Sequence, residues 1–357
     1  MTTDIAGSSH GLLLIRISDF DAPLGESCHA IQRALVLVNR LTVVVSVSSQ
    51  EPTADHSKDS RNSGPTPDTA QLDPKASSFH SVQRLLSAIY VTFTKQAMAL
   101  QKPLAELDMV FQHSCGYDIG TGVDDEIPFD ILLGTPEVTG ALNRLNEKRV
   151  KLRQKILPVF PLDLTTSHTD VHTHLVEAID SALPYSDVQE GSYRDVALGG
   201  TFDHLHAGHK ILLSMTAWIT SHRVVCGVTD DSMLKTKKFK EFMEPLDQRV
   251  HAVERFLRIF KRGLVYEVVP IHDIYGPTIT DDKLEALMVS KETLKGGAAV
   301  NEERNNRQLP PLKIEVINVI SPTETQVDEV SLKISSTFIR QYLSERASPA
   351  PVDPVAP

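Results

Sequence analysis

Two short stretches carry the residues best suited to chemistry. The first is Gly199-Gly200-Thr201-Phe202-Asp203, followed at once by His206-Ala207-Gly208-His209. Glycine lacks a Cβ, so a Gly-Gly pair lets the backbone turn sharply and approach a ligand closely. His206 and His209 are three residues apart and point the same way once a helix has begun. A helix start offers free N–H groups and a partial positive charge, both suited to phosphate. Imidazoles can donate hydrogen bonds to phosphoryl oxygens as charge builds up in a transition state. The second stretch is Ser335-Ser336-Thr337, set between Lys333-Ile334 and Phe338-Ile339-Arg340. Hydroxyls just ahead of an apolar helical run either cap the helix or leave its N–H groups to an anion. The chain contains no G-x-x-x-x-G-K-[ST], so this is not a P-loop.

The elements that would position these groups follow from hydrophobic spacing. Val196-Ala197-Leu198 reads as a buried strand ending at the glycines. Ile211, Leu212, Met215, Trp218 and Ile219 recur at helical spacing directly after the histidines. Arg223–Val228, Leu264–Val269, Ala286–Val289 and Ile314–Ile320 read as further strands. Leu246, Val250, Val253, Leu257 and Phe260 form a helical face begun by Pro245. Alternation of this kind implies a parallel sheet with right-handed crossovers, whose ligands collect beyond the carboxyl ends of the strands.

The first half also reads as α/β. Its strands fall at Leu12–Ile17, Leu41–Val47, Leu107–Phe111 and Phe129–Leu133, with helices at Cys28–Val38 and Ser81–Leu100 and a polar helical stretch at Leu142–Ile156. It contains no catalytic motif. Ser49–Ser78 has almost nothing to bury and reads as a disordered insertion. His168, His172 and His174 around Asp170 invite a metal reading, but their spacing matches no ligand pattern. A helix cap at Thr169-Asp170 with exposed histidines accounts for them better. The expected organisation is an N-terminal α/β domain over 1–180, a linker over 181–192, a second, Rossmann-like α/β domain over 193–346 and a disordered tail over 347–357.

Composition narrows the classes. The 357 residues hold 36 Lys and Arg against 46 Asp and Glu, a formal charge of −10, which argues against nucleic acid as a partner. Cys28, Cys115 and Cys226 are too far apart for a zinc site or a disulfide framework and fit a reducing compartment. No secretory signal is read at the start, and Ala34–Ser46, broken by Asn39 and Arg40, is too short to span a bilayer. A cytoplasmic protein is expected.

The T-F-D turn followed by H-x-G-H, with the Ile334-Ser335-Ser336-Thr337 stretch after it, resembles the signature of the nucleotidylyltransferase superfamily. Within it, Val196–His209, Gly227–Lys235, Glu244–Val253, Asp273–Pro277 and Val289–Asn301 are similar to the eukaryotic-type phosphopantetheine adenylyltransferases, in the stand-alone form found in fungi. Tyr275-Gly276-Pro277 and Val289–Gly297 discriminate most. The resemblance implies transfer of AMP from ATP to 4′-phosphopantetheine, giving dephospho-coenzyme A and pyrophosphate. It implies that His209 stabilises the transferring phosphoryl group and that His206 contacts ATP phosphates. Thr201 would hold the attacking phosphate and Lys235 would neutralise charge. Gly199, Phe202, Ser335, Ser336, Thr337 and Arg340 would complete the ATP site. Lys295 would hold substrate phosphate where the family has Arg, without the bidentate fork, so weaker affinity is expected. Asn301 and Arg304 fall in the family's nucleotide-facing region. Mg²⁺ is expected with ATP, held by phosphate and water and not by a protein cage. The resemblance also allows association with other enzymes of coenzyme A synthesis, and a nuclear as well as a cytoplasmic location. A cytidylyl- or nicotinamide-nucleotide adenylyltransferase of the same fold, or a non-catalytic regulatory relative, are the competing readings.

Overall fold

The structure, a computed structural model, describes residues 9–48, 78–117, 128–164, 188–317 and 335–347. The insertion read at 49–78 (Ser78 apart), the histidines at 168–174, most of the linker and the tail from 348 onward lie outside the described residues.

Two five-stranded parallel sheets organise the chain. The first holds β1 (His10–Ile17), β2 (Arg40–Val47), β3 (Glu106–Phe111), β4 (Ile131–Gly134) and β5 (Val159–Pro161), in the order β3-β2-β1-β4-β5. Helices α1 (Gly25–Leu37), α2 (Phe79–Ala99) and α3 (Thr139–Lys151) connect them. β1 and β2 are buried along nearly their whole length, which is why they read as continuous apolar runs and not as alternating ones. The second sheet holds β6 (Tyr193–Gly200), β7 (Thr220–Thr229), β8 (Val265–Ile271), β9 (Ala286–Ser290) and β10 (Lys313–Ile317), in the order β10-β9-β6-β7-β8. Its helices are α4 (Ala207–Ile219), α5 (Leu246–Phe260), α6 (Leu294–Asn306) and α7 (Ser336–Ala347). Both α/β units therefore match the expected class. β5 carries no strand signal in the sequence, being three residues long, preceded by Pro158 and ending in Pro161.

One hydrophobic core runs through both units. α2 packs on α1 and also on α4, while α5 packs on β3. The ring of Phe111 lies 6.0 Å from that of Phe260, edge-on, and Phe79 lies 6.5 Å from Trp218. Trp218 and Phe260 are completely buried. Cys28, Cys115 and Cys226 are free and buried. No helix among the described residues is long and apolar enough to cross a membrane.

Candidate active site

β6 ends at Gly199-Gly200, and the chain then makes a tight turn in which Phe202 and His204 both take positive φ, 51° and 46°. Non-glycine residues rarely adopt this region, and it costs of order 1–3 kcal/mol at each unless the surroundings hold it. The surroundings do so here. Phe202 is wholly buried beneath the turn, and a Cβ on Gly200 would stand 3.2 Å from its ring. Glycine is what lets that ring close over the strand end. The His204 amide donates to Glu244 at 2.6 Å, and the Glu244 amide donates to Asp203 at 2.9 Å.

Arg249, fully buried on the first turn of α5, ties the strand ends together. It donates to the carbonyls of Thr201 and Thr229 at 2.8 Å each and to that of Glu244 at 3.0 Å. Sequence reasoning missed this residue. Its signal was a charge on the face shared with Val253 and Phe260, where an apolar side chain belongs.

The histidine turn opens helix α4. His206 is its N-cap but makes no side-chain capping bond, so the first-turn N–H groups keep their affinity for an anion. The His206 and His209 rings are 3.9 Å apart at 30°, with His209 also 5.4 Å from Phe202. The Nδ1 atoms of both are buried and have no hydrogen-bond partner. Burial lowers the His206 pKa to about 4. Burial first, and then neighbouring His206, hold His209 well below the ordinary imidazole value. Both are neutral near pH 7, each with one buried ring nitrogen that a phosphoryl group can satisfy.

The second signature meets the first here. Ser336 Oγ donates to the Asp203 carbonyl at 2.8 Å. Arg340 is 2% exposed and its guanidinium pairs with the fully buried carboxylate of Asp203. It also donates to the Lys238 carbonyl at 3.0 Å and to Thr337 Oγ1 at 3.1 Å. Ser335 Oγ accepts the Phe338 amide at 3.2 Å, a helix cap. The hydroxyl run therefore latches α7 to the T-F-D turn. Arg340 is spent on that latch, and Phe202, being buried, shapes the site from below.

Gly199 and Gly200 border a cleft of about 290 Å³ at the carboxyl ends of the second sheet, with Thr229, Tyr275, Ser290 and Gly297 on its walls. Asp273 accepts the amides of Tyr275 and Gly276 at 2.8 and 2.7 Å, which folds the Tyr275-Gly276-Pro277 loop over its rim. Lys235 and Lys295 are exposed, on the loop after β7 and on the first turn of α6. Asn301 and Arg304 are not at the cleft wall. Asn301 holds Leu312, and Arg304, fully buried, donates to the carbonyls of Pro310 and Asp281. A second cavity, also about 290 Å³, lies between the two units, and His206 borders it with Tyr90, Asp108 and Lys210.

Asp203, His204 and Glu244 are close enough to hold a cation. Their atoms are already committed, to Arg340 and to the bonds that shape the turn.

Residues 197–342 match the cytidylyltransferase-like family. The chain is 35% identical over 272 residues to the phosphopantetheine adenylyltransferase of Saccharomyces cerevisiae, covering 70% of this chain and 87% of that one. It is 40% identical over 153 residues to the enzyme of that name from Methanopyrus kandleri, covering 43% of this chain and 92% of that one. The corresponding figures for Pyrococcus furiosus are 39% over 151 residues, 42% and 89%.

Proposed function

The chain belongs to the phosphopantetheine adenylyltransferase family, and from that premise we propose how its site transfers AMP from ATP to 4′-phosphopantetheine. The observation that carries the reading is the pair of closely apposed, neutral histidines at an uncapped helix start, beside a glycine-ended strand. An oxygen of the 4′-phosphate attacks the α-phosphorus of ATP in line. The bond from that phosphorus to the bridging oxygen breaks, and pyrophosphate leaves. The products are dephospho-coenzyme A and pyrophosphate, formed in coenzyme A biosynthesis.

The attacking phosphate is already ionised, so neither a general base nor a covalent intermediate is needed. Catalysis is positioning plus stabilisation of charge on the transferring group. His209 donates to that group in the transition state, and His206 with the first-turn amides of α4 holds the neighbouring phosphates. Gly199 lets the nucleotide lie close on the strand end, and Thr201 holds the attacking phosphate. Ser335, Ser336 and Thr337 border the triphosphate at the start of α7. Lys235 and Lys295 reach over from their exposed positions to neutralise charge. ATP arrives as its Mg²⁺ complex, and the committed state of Asp203, His204 and Glu244 favours an ion carried by phosphates and water. We place the reaction in the cytoplasm, with a nuclear location and association with other enzymes of coenzyme A synthesis compatible with it.

Substrate choice is tested by pyrophosphate release. MgATP with 4′-phosphopantetheine is expected to turn over, while CTP with phosphocholine or glycerol phosphate is not. Release with a CTP pair alone would move the chain to the cytidylyl branch of the fold.

A further inference from the structure

The two sheets share one topology. Read from its other edge, the second runs β8-β7-β6-β9-β10, the same succession of first to fifth strands as β3-β2-β1-β4-β5. The correspondence extends to single residues. Phe20-Asp21 follows β1 as Phe202-Asp203 follows β6, and both turns lead through an N-cap without a side-chain bond, Leu24 or His206, into a helix of 13 residues. Arg84 on α2 donates to the carbonyls of Phe20 and Ala22, much as Arg249 on α5 donates to that of Thr201.

The far halves match more closely still. Thr135 and Ser290 each lead through a short 3₁₀ turn into another helix of 13 residues. On α3, Asn146 donates to the Leu157 carbonyl at 2.8 Å and accepts its amide at 3.0 Å. On α6, Asn301 does the same with Leu312 at 2.9 and 2.8 Å. Arg149 and Arg304 each donate through Nε to a carbonyl six residues later. Arg153 and Gln308 take φ of 58° and 59° in the corresponding turns. Helix termination requires none of these devices in particular, so their recurrence in one order, on one topology, marks two copies of one unit.

The chemistry is not shared. Leu24-Gly25-Glu26-Ser27 stands where the second unit has His206-Ala207-Gly208-His209. The cleft between β1 and β4, about 170 Å³, has Glu26 and Glu137 on its walls against the single cation Arg16, a lining that is acidic on balance and lacks both histidines, so it suits phosphate poorly. What the first unit does present to the second is Asp108 on β3. Lys210, the residue after His209, donates through Nζ to Asp108 at 2.8 Å and to the Leu107 carbonyl at 2.7 Å. Its own amide donates to the His206 carbonyl at 3.0 Å. Both side chains are at most 10% exposed. Burial works to raise the Asp108 carboxyl, but Lys210 and then Arg40 outweigh it and hold it below the usual range.

We infer that the first unit is a catalytically silent second copy of the nucleotidyltransferase fold, and that its Asp108 is a positioning residue for His206 and His209, acting through Lys210. The inference rests on the adenylyl-transfer reading, but part of its test is independent of turnover. Equilibrium dialysis of the full chain against MgATP should give one nucleotide per chain; two would overturn the silent copy. In the full chain, Asp108→Asn should lower kcat about tenfold or more, leave KM for ATP within about twofold, and keep a cooperative melting transition. Asp108→Glu should recover part of that kcat. Asp108→Asn with wild-type kcat per folded molecule would overturn the positioning role. Should that variant fail to fold, the double change Asp108→Leu with Lys210→Met replaces the buried pair by apolar groups, an exchange proteins often tolerate. A folded double variant with reduced kcat supports the role, and one with full kcat overturns it. A wild-type chain that binds one MgATP but releases no pyrophosphate would instead refute the adenylyl-transfer reading.

Discussion

His206 and His209, with His10 on β1, make the fold sensitive to acid. Their folded pKa values lie below the unfolded value of about 6.5, His206 at about 4, because burial disfavours the charged ring. Between pH 6.5 and 4 the unfolded chain binds protons that the folded chain refuses, so stability is present above about pH 6.5 and falls as the pH drops through that window. Melting temperature should therefore decline steadily from pH 7 to pH 5, and the decline should be shallower in the His206→Asn, His209→Asn double variant. An identical slope in both proteins would mean that the folded chain does not hold the two rings neutral. At this scale the sequence was informative about types and poor about partners. The histidines were legible because their spacing and the glycines before them form a complete constellation. Arg340 read equally well as a phosphate ligand, since nothing local reveals that Asp203, distant in sequence, already claims it. Asn301 and Arg304, in a stretch similar to the family's nucleotide-facing region, are likewise engaged with carbonyls of the following segment. A polar residue committed to a carbonyl on the next element looks no different in sequence from one that faces substrate.

The catalytic turn is made by elements that brace one another. α7 carries Arg340 and Ser336 onto the T-F-D turn, and α5 carries Arg249 onto the carbonyls of Thr201 and Thr229. Arg340→Met would leave the Asp203 carboxylate buried without its partner, a change that costs about 3–5 kcal/mol. It should appear as a lower denaturation midpoint together with a raised KM for ATP. An unchanged midpoint would show that the latch does not form. Strands and helices with long apolar runs were readable because burial on one or both faces writes a period into the sequence. β5 was not, because three residues, the last of them Pro161, carry no period. Helix α6 was hidden for a related reason. Its run Leu294-Lys295-Gly296-Gly297-Ala298 buries little beyond Gly297, Val300 and Arg304, so it shows no apolar stripe.

At the scale of the whole molecule, the two units share one core. The first covers Trp218 and Phe260 of the second with Phe79 and Phe111, and it reaches the catalytic helix through Asp108. A fragment beginning at Tyr193 would uncover that apolar face, so it should self-associate in size-exclusion chromatography with light scattering, where the full chain does not do so through this surface. The repetition of the unit was invisible in sequence because the copies agree in turn geometry and backbone bonds, and in few residue types beyond Phe-Asp and Asn-Glu-x-Arg. The central claim is that the site built on the half-buried histidine pair transfers AMP to 4′-phosphopantetheine, and the most direct test compares dephospho-coenzyme A formation from MgATP by the wild-type chain and by His209→Ala. The expected result is steady product formation by the wild type and a loss of about 10²-fold or more in kcat in the variant, the scale of removing a transition-state donor, with the fold retained. Equal rates in the two proteins, or no product from the wild type, would contradict it.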